Sequence, residues 1–150
     1  MKKENVKDYP LPPKVEKVNK EVRIIFNEVE IARSSDAIRI LQKNLLPVYY
    51  ISKKDIKMQY LKKTERHTTC EYKGVADYFN IEVNGKTAEN AAFYYPNPKK
   101  GFEGIENYIS FYPAKMDACY VGNEKVDSKI GLFTGEWATS EVEIPERLKR

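Results

Sequence analysis

The dipeptide Asn84-Gly85 constrains this chain more than any other feature, because it separates YFNIEV from KTAENAAFYY, two runs that alternate well enough to pair. Asn and Gly reach positive φ at low cost, as both central positions of a two-residue hairpin turn require. The spacing predicts a hairpin in which side chains two apart share a face. Ala88, Asn90, Ala92 and Tyr94 then fall on one side, and Glu89, Ala91, Phe93 and Tyr95 on the other. Small alanines beside large rings suit a tight sheet contact or the floor of a ligand site.

Similar punctuation runs through the rest of the chain. VRIIF and EVEIARS flank Asn27-Glu28, AIRILQ and VYYIS are divided by Pro47, and MDACYVG and KVD frame Gly122-Asn123. Each run reads as a strand. GIENYISFY reads as a short helix running into a strand, and Ser52-Lys53-Lys54-Asp55 has capping-box spacing with room for one turn. These elements predict a mainly β fold: a small single domain of short antiparallel strands in packed sheets, with one or two short helices. Pro10, Pro12 and Pro13 interrupt regular hydrogen bonding, so residues 1–20 read as an extended Pro/Lys-rich arm and residues 21–150 as the domain. The 150 residues suffice for one hydrophobic core.

MKKENVKDYPLPPK lacks the apolar segment of an export signal, and no stretch approaches spanning length, so the expectation is a soluble cytoplasmic protein without membrane contact. In that compartment Cys70 and Cys119 are expected as buried free thiols. The formal charge is +4, and SKKDIKMQYLKKTERH alone holds six Lys/Arg against two acids. A basic surface between Lys53 and Arg66 could hold RNA or another polyanion, yet no aromatics and glycines interleave with its charges, so a solvated strand and turn is the favoured reading.

Nucleophile and metal patterns are sparse. His67 and Cys70, three apart, point to opposite faces of a strand, which disfavours a catalytic thiol. Neither a C-x-x-C pair nor a second histidine is present, so no zinc site, no other metal and no cofactor are expected. Tyr72-Lys73-Gly74 is too short for a phosphate-cradling loop. Asp77 and Glu89 could face each other across the hairpin as a carboxylate pair, with a solvated or salt-bridged pair as the ordinary alternative.

Eleven tyrosines point elsewhere. Tyr49, Tyr72, Tyr94 and Trp137 come from separate segments, and Arg39, Lys73, Glu89 and Asn90 are polar groups near them in sequence or on adjoining strands. Apolar walls with a few fixed polar groups make a small-molecule site. The same rings also suit an ordinary core. A lysine just before a glycine bend stays solvated unless tyrosines pin its stem, which makes Lys73 the most informative residue.

The segments PVYYISKKDI, CEYKGVADYF, ENAAFYYPNP and ISFYPAKMDACYVGNEKV, in this order and preceded by Arg23 to Phe26 and Ile31 to Ser34, resemble the domain-of-unknown-function 427 family over roughly residues 20–140. The resemblance implies a small, mostly β fold and carries the label of a nucleotidyltransferase. Glu71 stands where the family usually has Pro, and the closing GLFTGEWATSEVEIPERLKR keeps only part of the family's pattern. No role is carried over to that tail.

The sequence thus predicts a small-molecule-binding domain with an aromatic-walled pocket around the hairpin of residues 70–94. An enzymatic version would use Glu89 or Asp77 as acid or base and Lys73 or Arg39 to stabilise an anion, with Tyr49, Tyr72, Asn90, Tyr94 and Trp137 contacting the ligand. The alternatives are the basic polyanion-binding surface and a structural partner that uses the Pro-rich arm.

Overall fold

Positive-φ residues mark where the chain turns. In a computed structural model that describes residues 2–149, five non-glycine residues have φ above zero, and four of them are asparagines: Asn27, Asn44, Asn84 and Asn90, with Glu28 as the fifth. Asparagine tolerates this region because its short polar side chain bonds locally to the backbone. Asn27-Glu28, Asn84-Gly85 and Gly122-Asn123 close the three hairpins read from the sequence.

Eleven strands result: β1 (Lys14–Lys17), β2 (Val22–Phe26), β3 (Val29–Ser34), β4 (Ile38–Leu41), β5 (Val48–Ser52), β6 (Leu61–Cys70), β7 (Gly74–Val83), β8 (Lys86–Tyr94), β9 (Tyr108–Phe111), β10 (Ala118–Val121) and β11 (Glu124–Lys125). They form a seven-stranded sheet ordered β1-β4-β5-β9-β8-β7-β6 and a four-stranded sheet ordered β11-β10-β2-β3, with antiparallel pairing between neighbouring strands. The fold is mainly β, as expected. In place of one or two short helices, the described residues contain six single 3₁₀ turns of three residues each. One of them, Lys53–Asp55, occupies the anticipated capping box, but Ser52 caps nothing. The Asp55 carboxylate instead accepts the Ser34 hydroxyl at 2.6 Å, which ties this turn to β3.

The sheets pack across one face of the larger one. Val22, Ile24 and Phe26 of β2, Ile31 of β3 and Val121 of β10 meet Ile51, Phe79, Ile81, Ile109 and Phe111, and Trp137 completes the layer with no exposed surface. Burying each large aliphatic or aromatic side chain contributes roughly 1.5–3 kcal/mol, so this inner core holds the sheets together. The outer face of the seven-stranded sheet carries a second cluster, and it is dominated by aromatic rings.

Residues 1–20 are expected as an extended arm, but residues 2–20 turn at Val6–Asp8, bend at Tyr9, Leu11 and Pro12, and do not lie free. β1 pairs with β4, and Val6 and Tyr9 are buried against Leu41, Leu46, Ala138 and Val142. The prolines break regularity without preventing packing. Towards the other end of the chain, Arg147 reaches back to the buried Glu136 carboxylate, with Nη2 to Oε1 at 2.5 Å. No helix among the described residues is long and apolar enough to cross a membrane.

Candidate functional site

Alternation and register decide which side chains share the outer face. Thr68 pairs with Ala76, Cys70 with Gly74, Tyr78 with Phe93, and Phe93 with Ser110. Extending the Ile51 to Ile109 register by one places Tyr50 beside Ser110. Phe93 becomes the hub: its ring centroid lies 5.5 Å from Tyr112, 5.8 Å from Tyr78, 6.0 Å from Tyr50 and 6.2 Å from Tyr95. The Tyr50 and Tyr95 contacts are edge-to-face, the geometry that a ring quadrupole favours.

The tyrosine hydroxyls gather around the hub and are unequally satisfied. Tyr78 shares hydrogen bonds with Thr68 at 3.0 Å and Tyr112 at 3.5 Å, and the Cys70 thiol is a neighbour of the Tyr95 hydroxyl. Tyr50 and Ser110 are fully buried, and their hydroxyl oxygens have no partner. Burial, then the neighbouring acidic hydroxyl and thiol groups, pushes the Tyr50 and Tyr95 phenols upward, so both are protonated donors at neutral pH.

Lys73 stands at the edge of this cluster, in the turn joining β6 to β7, and is only 8% exposed. Its Nζ lies 5.5 Å from the Tyr95 ring centroid, with Cys70 as its titratable neighbour and no carboxylate or carbonyl holding it. Burial pushes the amine below its ordinary value, and the neighbouring Cys70 works in the opposite sense. The turn itself is pinned. The Lys99 amide donates to the Lys73 carbonyl at 3.0 Å, and Gly74 has φ +108° with the Asn97 carbonyl 3.3 Å from where a Cβ would stand. Glycine is required there.

Two features border the cluster. Gly135 packs on it so closely that a Cβ would come 3.2 Å from the Tyr112 ring and 3.3 Å from the Phe93 ring. Alongside lies an open hollow of about 580 Å³ lined by Pro12, Pro13, Tyr72, Lys99 and Phe102; Tyr72 and Phe102 also belong to the aromatic cluster.

The residues proposed from sequence do not converge as a group. Lys73 and Tyr72 belong to the outer-face cluster. Tyr49 and Trp137 stack at 5.0 Å in the inner core, where the Trp137 indole N–H donates to the Phe111 carbonyl at 3.1 Å. They are core residues rather than pocket walls. Tyr94 also faces inward, stacked on Phe79 at 5.4 Å with Lys53 Nζ 4.3 Å from its centroid. Arg39 is buried and paired with Glu4 at 3.0 Å and Glu16 at 2.7 Å, which makes it a structural cation.

Asp77 faces inward as well, bonded to His67 Nδ1 at 2.8 Å and Lys63 Nζ at 3.0 Å. Burial opposes its charge, but hydrogen bonds from Lys63 and His67 prevail and hold its carboxyl below the usual range. Glu89 is exposed at a bulge in β8, where Asn90 has φ 47° and Lys115 Nζ donates to the Glu89 carbonyl at 2.8 Å. Gly74 and Ile81 lie seven residues apart on β7, and Ile81 pairs with Ala88, so Lys73 and Glu89 stand about 20 Å apart along the strand. They cannot share one small-molecule cavity, and Asp77 and Glu89 are not cross-strand partners, since Asp77 pairs with Tyr94.

Sequence reasoning missed Tyr50, Tyr78, Tyr95, Tyr112 and Ser110. Alternation did place Phe93 and Tyr95 together; the missing step was their register against Tyr78. The basic run between Lys53 and Arg66 is partly neutralised: Lys54 pairs with Asp36 at 2.8 Å, Lys63 with Asp77, and Arg66 lies over the Tyr78 ring at 5.0 Å. Both cysteines are free thiols, Cys119 buried and Cys70 half-buried.

None of the curated proteins matches this chain. Residues 14–122, which span β1 through β10, match the family model described as a domain of unknown function, DUF427. The chain therefore belongs to the DUF427 family.

Proposed function

We propose that the outer face of the seven-stranded sheet binds a small molecule with a flat apolar body and hydrogen-bond-accepting or anionic groups. The observation that carries this reading is the pair of buried, unpartnered hydroxyls on Tyr50 and Ser110 in the tyrosine cluster that Lys73 borders. Leaving a buried donor unsatisfied costs about 1–3 kcal/mol, and since both hydroxyls are sealed from solvent, a ligand acceptor recovers it by parting the rings that cover them. Aromatic walls provide area, and phenol donors with a cationic amine provide orientation. The side chains around Lys73 are a thiol and phenols rather than carboxylates, so the charge of the site favours an acceptor or anion.

A thermal-shift panel of aromatic carboxylates and phosphates, each paired with a neutral and an aliphatic analogue, tests the reading. Aromatic anions should stabilise the wild type. Tyr50→Phe keeps the ring and removes the orphaned hydroxyl, so it should weaken that binding about tenfold while leaving the unliganded melting temperature level or higher. Equal responses to all classes, or hits unaffected by both Tyr50→Phe and Tyr95→Phe, would sink it.

A further inference from the structure

We propose that Lys73 is an amine nucleophile that condenses with a small aldehyde or ketone seated against the outer-face tyrosines, forming an imine. The inference rests on the binding reading above and assigns it a substrate class. The lysine nitrogen bonds to the carbonyl carbon, the carbon–oxygen bond breaks, and the oxygen leaves as water carrying both amine hydrogens. Addition of water reverses the step. No oxidant or reductant is consumed.

Four observations converge on this residue. Its backbone is fixed by the Lys99 amide and by the close approach at Gly74, so the side chain starts from a rigid base. Among the described residues its nitrogen has no oxygen partner despite its burial, whereas Lys20, Lys54, Lys63, Lys86 and Lys149 pair with carboxylates, and Lys99 and Lys115 donate to carbonyls. That nitrogen is largely buried, which disfavours the ammonium form and frees the lone pair, although the Tyr95 face it lies over pulls weakly the other way. It is also absent from the fully buried, unpartnered atoms, so it keeps a trace of contact with solvent.

Imine formation needs a proton donor for the departing oxygen. The Tyr95 phenol, whose ring Lys73 overlies and which is protonated at neutral pH, is one such group beside the Cys70 thiol, and the Tyr78 and Tyr112 phenols are linked to each other in the same cluster. A buried lysine in an apolar pocket is a known solution for generating a free amine at neutral pH.

The test treats the full chain with 4-carboxybenzaldehyde, a flat anionic aldehyde, and cyanoborohydride to trap imines, followed by time-resolved peptide mapping. Lys73 should be alkylated at least about tenfold faster than exposed Lys57 or Lys62 at pH 7, because burial leaves more of its amine unprotonated. Its labelling should also persist to lower pH. Lys73→Arg should abolish the fast phase; if that variant does not fold, the ranking of sites in the wild type decides. Lys73 reacting no faster than exposed lysines overturns the proposal. Terephthalate, which lacks the aldehyde, separates the two readings. Stabilisation by terephthalate without preferential Lys73 labelling leaves the binding site and removes the amine chemistry. Fast Lys73 labelling without any response to terephthalate or the aromatic panel supports the nucleophile and removes the binding reading.

Discussion

A lysine ammonium withheld from water without a counter-charge weakens the fold that holds it, and Lys73 is such a group. Its amine is depressed by burial in the folded chain, so between the folded value and the ordinary one the unfolded chain binds more protons and stability rises with pH. Lys73→Met keeps the stem and removes the charge. It should stabilise the protein at pH 7 by about 1 kcal/mol, raising the melting temperature by about 2–4 °C, and the gain should shrink as pH reaches the ordinary lysine value of about 10.4. Calorimetry of both proteins at the two pH values checks this; a Met variant that melts below the wild type would show that the ammonium is well solvated. Lys73 was legible because a lysine beside a glycine bend needs an explanation for its stem. Tyr50 was not, since VYYIS alone does not tell which of two adjacent tyrosines faces the inner core, and the structure assigns Tyr49 inward and Tyr50 outward.

At the level of elements, β7 lies between two distortions of the same size. Lys63 and His67 on β6 span four residues against two on β7, and Ala88 and Ala92 on β8 do the same. Polar side chains bridge the two: the Thr64 hydroxyl donates to Asn90 Oδ1 at 2.7 Å, and the Asn90 amide donates to Asn80 Oδ1 at 2.8 Å. Each insertion is even, so the facing of every later side chain is preserved while its partner changes by two. Counting from Asn84-Gly85 therefore gives the pairs from Ile81 to Val83 correctly and then sets Tyr78 opposite Ala91 instead of Phe93. The turn dipeptides made the hairpins legible. The bulge was not, because its cause lies in three polar residues up to 26 positions apart. Asn90→Ala loses both the local tolerance for positive φ and the Thr64 bond, so urea unfolding should show a loss of about 1–3 kcal/mol. Asn90→Gly should recover the backbone share. Equal losses for Ala and Gly would mean that φ is not the issue.

For the whole molecule, residues 2–12 and the last ten described ones brace each other. The Glu4 amide donates to the Glu141 carbonyl at 2.9 Å, and the Glu143 amide returns to the Glu4 carbonyl at 2.8 Å. The Glu4 carboxylate accepts from Tyr9 at 2.6 Å and pairs with Arg39, whose other carboxylate is Glu16. Burial disfavours the Glu4 charge, but the Arg39 and Tyr9 hydrogen bonds outweigh it and hold its carboxyl below the ordinary range. Proline content correctly foretold an irregular path here. It could not reveal that Val6 and Tyr9 are buried, because partners such as Leu46 and Val142 lie far along the chain and only the closed fold brings them near. Deleting residues 2–12 should therefore do more than trim a tail. Uncovering Val6 and Tyr9 removes roughly 3 kcal/mol of apolar burial and leaves the buried Arg39 with one carboxylate instead of two. The truncated chain should melt at least about 5 °C below the full one, with protease sensitivity newly appearing around Leu46 and Val142 as their cover is lost. A truncated chain that melts with the full-length protein would show that the N-terminal segment rests on the surface without bracing it.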